Sequence, residues 1–169
     1  PDVLLLGSPT RSLLTENLFG STTTGIANQL DIPLLILRPQ LVATYREQAL
    51  SLRCQTLFTH LLVPYEGSYS AKYLVSQIKA AAQTADQPKQ CTLCWIIDDC
   101  IRMELRESQD TVQAQLDEVK ADLQTVGIEV FTEIRQGDPQ SEILKSAEVN
   151  DISAIAICSL NSSLSVRVR

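Results

Sequence analysis

The sequence has few basic residues and no cluster of them. Its 14 lysines and arginines are outnumbered by 20 aspartates and glutamates, which gives a net charge of −6 at pH 7. Nucleic-acid binding requires grouped lysines and arginines that neutralise phosphates. The composition therefore argues against DNA and RNA as partners.

Long apolar runs and a secretion signal are also missing. A membrane-spanning helix needs about 20 consecutive apolar residues, and no uninterrupted run in the sequence approaches that length. The N-terminus lacks the basic region, apolar stretch and small-residue cleavage site of a signal peptide. The five cysteines are an odd number and lack the even spacing of a disulfide framework. We therefore expect a cytoplasmic chain in a reducing compartment.

Apolar segments typical of buried strands alternate with segments of helical periodicity. At 44% hydrophobic residues, the chain has enough apolar side chains to bury a core. The pattern predicts strands at 2–6, 34–37, 57–64, 91–97, 128–134 and 152–157, and helices at 22–30, 41–52, from 70, at 109–124 and after Asp138. This alternation predicts an α/β fold, a doubly wound parallel sheet covered by helices on both faces.

Three stretches carry a resemblance to a known family. PDVLLLGSPTRSLLTENLFGSTTTGIANQLDIPLLILRP resembles the last third of a universal stress protein domain, HLLVPYEGS resembles its beginning, and IEVFTEIRQGDPQSEILKSAEVNDISAIAICS resembles its middle. The resemblance implies the adenine nucleotide alpha hydrolase-like fold. It also implies a tandem arrangement, in which residues 1–39 are the C-terminal part of a first domain, 40–56 a connecting helix and 57–169 a second domain that is incomplete at its C-terminus.

The resemblance also implies a nucleotide site. ATP-binding members of the family have the pattern Gly-x-x-Gly, nine residues, then Gly-Ser or Gly-Thr, and this chain has Gly7, Thr10, Gly20 and Ser21 at those positions, followed by Thr22. Glycines allow close backbone approach to ribose and phosphate, and a Gly-Ser pair opening a helix offers N–H groups to an anion. Thr10 departs from the pattern because its side chain narrows that space.

The second domain departs further from the family pattern. Cys158 and Asn161 stand where the first two glycines are expected. Family members carry an aspartate near the end of the first strand that contacts the adenosine portion, and Glu66 stands at that position here. The nucleotide-binding residues implied by the resemblance are therefore Gly7, Thr10, Gly20, Ser21, Thr22 and Glu66.

Two functions follow from the resemblance. The first is a module that binds ATP or AMP, with or without Mg²⁺, and regulates through conformation or dimerisation in a stress response. The alternative is a dimerisation module without nucleotide, such as the cytosolic domain attached to a membrane cation/proton antiporter, in which the strand 34–37 pairs edge to edge with a second copy. No general base, nucleophile or arginine finger is evident in the sequence, so a binding role is expected rather than an enzymatic one, with slow ATP hydrolysis at most.

Other residues with chemical potential have simpler structural explanations. Cys91 and Cys94 form a Cys-x-x-Cys, but positions i and i+3 of a strand point to opposite faces, so we expect structural cysteines. His60, the only histidine, lies among apolar residues, which favours a packing role. Asp98 and Asp99 end a predicted strand and are more consistent with a solvated patch than with a metal site.

Overall fold

Strands and helices alternate along the middle of the chain, from His60 to Ser159, as the sequence predicts. The computed structural model describes residues 4–7, 34–37, 47–85, 87–98, 109–159 and 162–168. The elements in chain order are β1 (Leu4–Gly7), β2 (Leu34–Leu37), α1 (Glu47–Gln55), β3 (His60–Pro64), α2 (Tyr69–Ala85), β4 (Gln90–Ile97), α3 (Gln109–Gln124), β5 (Glu129–Gln136), α4 (Pro139–Val149), β6 (Ala154–Ser159) and β7 (Ser162–Val168).

The strands form one seven-stranded sheet with the order β1-β2-β7-β6-β3-β4-β5. Neighbouring strands are parallel, except that β6 and β7 are antiparallel. Strands β1, β2 and β7 therefore run opposite to β3, β4, β5 and β6. As a result, β1 ends on the side of the sheet where β3 begins, so the carboxyl ends of the two strands lie at opposite ends of the strand direction.

Helices pack on both faces of the β3–β6 part of the sheet, as the doubly wound arrangement requires. On one face α2 and α3 pack on the sheet through a large apolar cluster that includes Leu74 and Leu116, neither more than 1% exposed. On the other face α4 packs through a smaller cluster that includes Leu62, Cys94 and Ile143. Strand residues alternate between the two clusters because successive side chains of a strand point to opposite faces.

The start of α4 follows from three consecutive residues. Asp138 lies before the helix in an extended conformation, and its carboxylate accepts a hydrogen bond from the Ser141 N–H at 2.9 Å. Pro139 occupies the first helical position, where a missing N–H costs nothing. Gly137 has a φ of 139°, which is open to glycine but rare for other residues. The structure confirms the predicted N-cap and N1 proline.

The sheet differs from the sequence expectation in two respects. Strand β7 was not predicted, and its antiparallel pairing with β6 makes the sheet mixed. Strand β2, expected to offer an unpaired edge for dimerisation, is paired on one side with β1 and on the other with β7. That expectation is wrong for this structure, because pairing inside the chain occupies the backbone groups on both sides of the strand. The division into domains at 39 and 56 stays a prediction.

Two predicted elements have different bounds in the structure. The predicted strand 57–64 begins only at His60, since a turn in which the Thr59 N–H donates to the Thr56 carbonyl precedes it. Of the predicted connecting helix, the described part is α1. None of the helices in the described part of the chain has both the length and the apolar character that crossing a bilayer requires.

Candidate functional site

The strand order reverses next to β3, so a ligand site is expected at the carboxyl ends of β3 and β6. The chain passes from β3 to β4 and β5 on one side of β3 and then returns to β6 on the other side. Open α/β sheets bind ligands in the crevice outside the strand carboxyl ends at such a reversal. The segment Tyr65–Ser68 follows β3, and Cys158 lies near the end of β6.

The loop after β3 is fixed by hydrogen bonds at both of its ends. The Tyr65 N–H donates to the Cys94 carbonyl at 2.9 Å, which extends the pairing of β3 with β4 by one residue. The Ser68 hydroxyl accepts from the Ala71 N–H at 3.2 Å, as an N-cap residue of α2 does. The same hydroxyl donates to Glu66 Oε1 at 2.7 Å. The exposed Glu66 carboxylate is therefore oriented by the helix cap.

Gly67 turns the loop in a way that other residues resist. Its φ is 70°, in the left-handed region. A Cβ atom added at this position would lie 2.7 Å from Gln115 Oε1 and 3.4 Å from the Trp95 ring. The glycine thus allows the loop to pass close to α3 and β4, with Glu66 exposed just after the carboxyl end of β3.

An aromatic pair lies beneath this loop. The Tyr65 side chain is 3% exposed, and its ring meets the Trp95 ring edge to face with 6.0 Å between centroids. Burial raises the pKa of Tyr65, and the nearby carboxylates of Glu118 and Glu66 raise it further. The phenol is therefore protonated at neutral pH. It provides a neutral support rather than a charged group.

The structure describes two of the six residues implied by the resemblance and does not bring them together. Gly7 is the last residue of β1, opposite Leu37, and Glu66 follows β3. Because β1 and β3 run in opposite directions, the two lie at opposite edges of the sheet. Four of the implied residues, Thr10, Gly20, Ser21 and Thr22, lie outside the described residues, and so does Asn161. Ser68 was missed, although a serine before a helical segment is a recognised start signal.

The remaining candidates behave as structural residues where they are described. Cys91 lies in the cluster under α2 and α3 and Cys94 in the cluster under α4, which confirms that the two point to opposite faces. Burial raises the pKa of each thiol to about 12, so both are protonated and poor nucleophiles at neutral pH. Asp99 lies outside the described residues. Within those residues no group of three or more His, Cys, Asp or Glu side chains is arranged to hold a metal ion.

Comparisons with solved structures identify the architecture. A universal stress protein from Archaeoglobus fulgidus is 20% identical, with a TM-score of 0.61 over 91% of this chain and 48% of that one. The hypothetical protein MJ0577 is 19% identical, with a TM-score of 0.52 over 67% of this chain and 98% of that one. This chain has the universal stress protein fold. It spans about half the length of the A. fulgidus protein.

Another solved structure has a lower similarity to this chain. A universal stress protein in complex with cAMP is 13% identical, with a TM-score of 0.45 over 60% of this chain and 76% of that one, a likeness too low to inform on ligands here. No family model matches the chain. No curated protein matches it either. At these identities the universal stress protein fold is established, and the function has to be argued from the site.

Proposed function

We propose that this chain is a regulatory module that binds an adenine nucleotide. The observation that carries the proposal is the loop Glu66–Ser68 at the strand-order reversal of a universal stress protein fold. An exposed carboxylate just after the carboxyl end of β3 is suited to accept hydrogen bonds from ribose hydroxyls or an adenine amino group. The orientation of Glu66 by Ser68 supports this role, because a preset acceptor loses less freedom on binding.

The loop that carries Glu66 packs closely on the structure beneath it. Because Gly67 has no side chain, its backbone can lie close to Trp95 and Gln115. Tyr65 and Trp95 lie in the apolar core beneath the loop and support its position. The resemblance implies that Gly20 and Ser21 would contribute N–H groups to phosphates. The chain thus has two candidate positions for the nucleotide.

Nucleotide binding would regulate by changing the population of a folded or assembled state. A ligand that binds only the folded state stabilises it by about 2.7 kcal/mol when its concentration is 100 times Kd. No reaction is needed for this effect. The same selective binding would favour whichever conformation or dimer presents the completed site.

Thermal unfolding of the full chain with ATP, AMP and no nucleotide, each with and without Mg²⁺, tests the proposal. We expect Tm to rise with ATP or AMP in the unmodified protein. Loss of the rise in Glu66→Gln would place the nucleotide at β3, and loss in Gly20→Val would place it at the Gly7–Ser21 loop. The control Glu129→Gln removes a carboxylate at the amino end of β5 and should keep the rise. An unchanged Tm with every nucleotide contradicts the proposal and leaves the regulatory dimer without nucleotide.

A further inference from the structure

A concave site lies at the amino ends of β3, β4 and β5, on the opposite side of the sheet from Glu66. It is a cavity of about 650 Å³ beside the C-terminal end of α4. This volume lies within the range of about 300–1,000 Å³ that is typical of small-molecule pockets. His60 and Thr92 form part of its wall, and their side chains are joined by a 2.9 Å hydrogen bond between Nε2 and Oγ1. Nothing in the proposed nucleotide role uses this cavity.

The charge of the cavity favours a cation. Glu133 and Asp151 line it, and among the described residues no lysine or arginine does. Glu133 is already engaged, since it accepts a hydrogen bond from Ser146 and pairs with Arg135 at 3.4 Å. Asp151, in contrast, is exposed at the end of α4. An anionic ligand would enter this cavity without a compensating positive charge.

An aromatic ring is open to the same cavity. Phe131 is 44% exposed although it lies in a strand, and its ring contacts His60 with 6.0 Å between centroids. Burial lowers the pKa of His60, while Asp151 and Glu129 oppose that change, so the imidazole is neutral at neutral pH in a locally negative field. A neutral aromatic wall beside carboxylates is the environment in which an ammonium group binds by cation–π and ionic contacts.

We propose that this cavity binds a small organic cation carrying a primary ammonium group. The ring of Phe131 and the carboxylate of Asp151 are its main contacts, and the amide oxygen of Asn150 in the wall accepts a remaining N–H group. A lysine side chain of a partner carries the same group as a free amine. The free amine and the lysine side chain would present the same ammonium group to the cavity, and the experiment below separates them.

The test is an NMR titration of the full ¹⁵N-labelled chain at neutral pH with putrescine, 1,4-butanediol and succinate. These probes have four-carbon backbones and differ in charge. We expect putrescine to shift the amide signals of Phe131, Asp151 and their neighbours at concentrations that leave them unmoved by the other two. Equal or stronger shifts with butanediol or succinate, or putrescine shifts confined to other parts of the chain, would overturn the proposal. Comparing putrescine with Nα-acetyl-lysine N-methylamide shows which source of the cation binds more tightly.

Variants make the assignment specific. Asp151 has a φ of 48°, a conformation that asparagine also tolerates, so Asp151→Asn removes the charge and preserves the backbone. We expect Asp151→Asn and Phe131→Leu each to weaken putrescine binding by about two- to five-fold. The matched control Asp117→Asn changes an exposed carboxylate of α3 and should leave the affinity unchanged. If all three variants bind putrescine as the unmodified chain does, the cavity is not a cation site.

Discussion

Truncation of one core leucine should destabilise the protein far more than the same truncation at an exposed helical position. Leu116 in α3 is 0% exposed and packs between the helix and the sheet, whereas Leu52 in α1 is 62% exposed. Leu→Ala removes three carbons, a transfer loss of about 2.4 kcal/mol at ~0.8 kcal/mol per buried CH₂. An unfilled cavity raises this to about 3–4 kcal/mol at Leu116. At Leu52 we expect a change within about 0.5 kcal/mol.

Urea unfolding followed by tryptophan fluorescence measures both changes. Trp95 is the only tryptophan in the chain and lies in the same cluster as Leu116, so its emission reports on that core. The structure predicts a much lower midpoint for Leu116→Ala and an almost unchanged one for Leu52→Ala. If the two variants lose the same stability, or Leu52→Ala loses more, Leu116 is not buried in the core with Leu52 exposed to solvent.

Three further perturbations have defined outcomes. Because burial lowers the pKa of His60, the unfolded chain binds more protons than the folded chain just below pH ~6.5. The free energy of unfolding should therefore fall as the pH drops through that window, by less than about 1.4 kcal/mol per pH unit. Urea unfolding between about pH 5 and 8 measures this dependence, and His60→Gln should flatten it. Asp138→Ala should lower Tm through loss of the α4 cap, while Asp138→Asn, which retains a capping oxygen, should not. Gly67→Ala should lower the free energy of unfolding by about 1–2 kcal/mol, because of the positive φ and the contact with Gln115. The double variant with Gln115→Ala should recover only the part of this loss that comes from the contact. Full stability in Gly67→Ala would contradict the loop geometry.

Local signals in the sequence were sufficient for several elements. The spacing of Val112, Leu116 and Leu123 predicts α3, and the structure places that helix at Gln109–Gln124 with these three side chains buried. Asp138 and Pro139 predict the start of α4 by chemistry confined to a single turn. In both cases the information lies within one segment, since helix periodicity and capping depend on neighbouring residues.

Long-range pairing could not be predicted in the same way. The segment 162–168 alternates polar and apolar residues, a pattern typical of strands, although no strand is predicted there in the sequence analysis. Its placement between β2 and β6 depends on contacts far apart in the chain. The separation of Gly7 from Glu66 has the same origin, because the direction of β1 relative to β3 is set by pairing through β2, β7 and β6. A resemblance of short segments carries no information on that direction.

Isothermal titration of Mg²⁺-ATP into the full chain tests the central claim most directly. We predict saturable binding with one nucleotide per chain. Only one of the two variants Glu66→Gln and Gly20→Val should weaken it, according to which position is occupied, and Glu129→Gln should leave it unchanged. Absence of binding to the unmodified chain, with its cooperative urea unfolding intact, would contradict the claim that this fold acts here as a nucleotide-binding module.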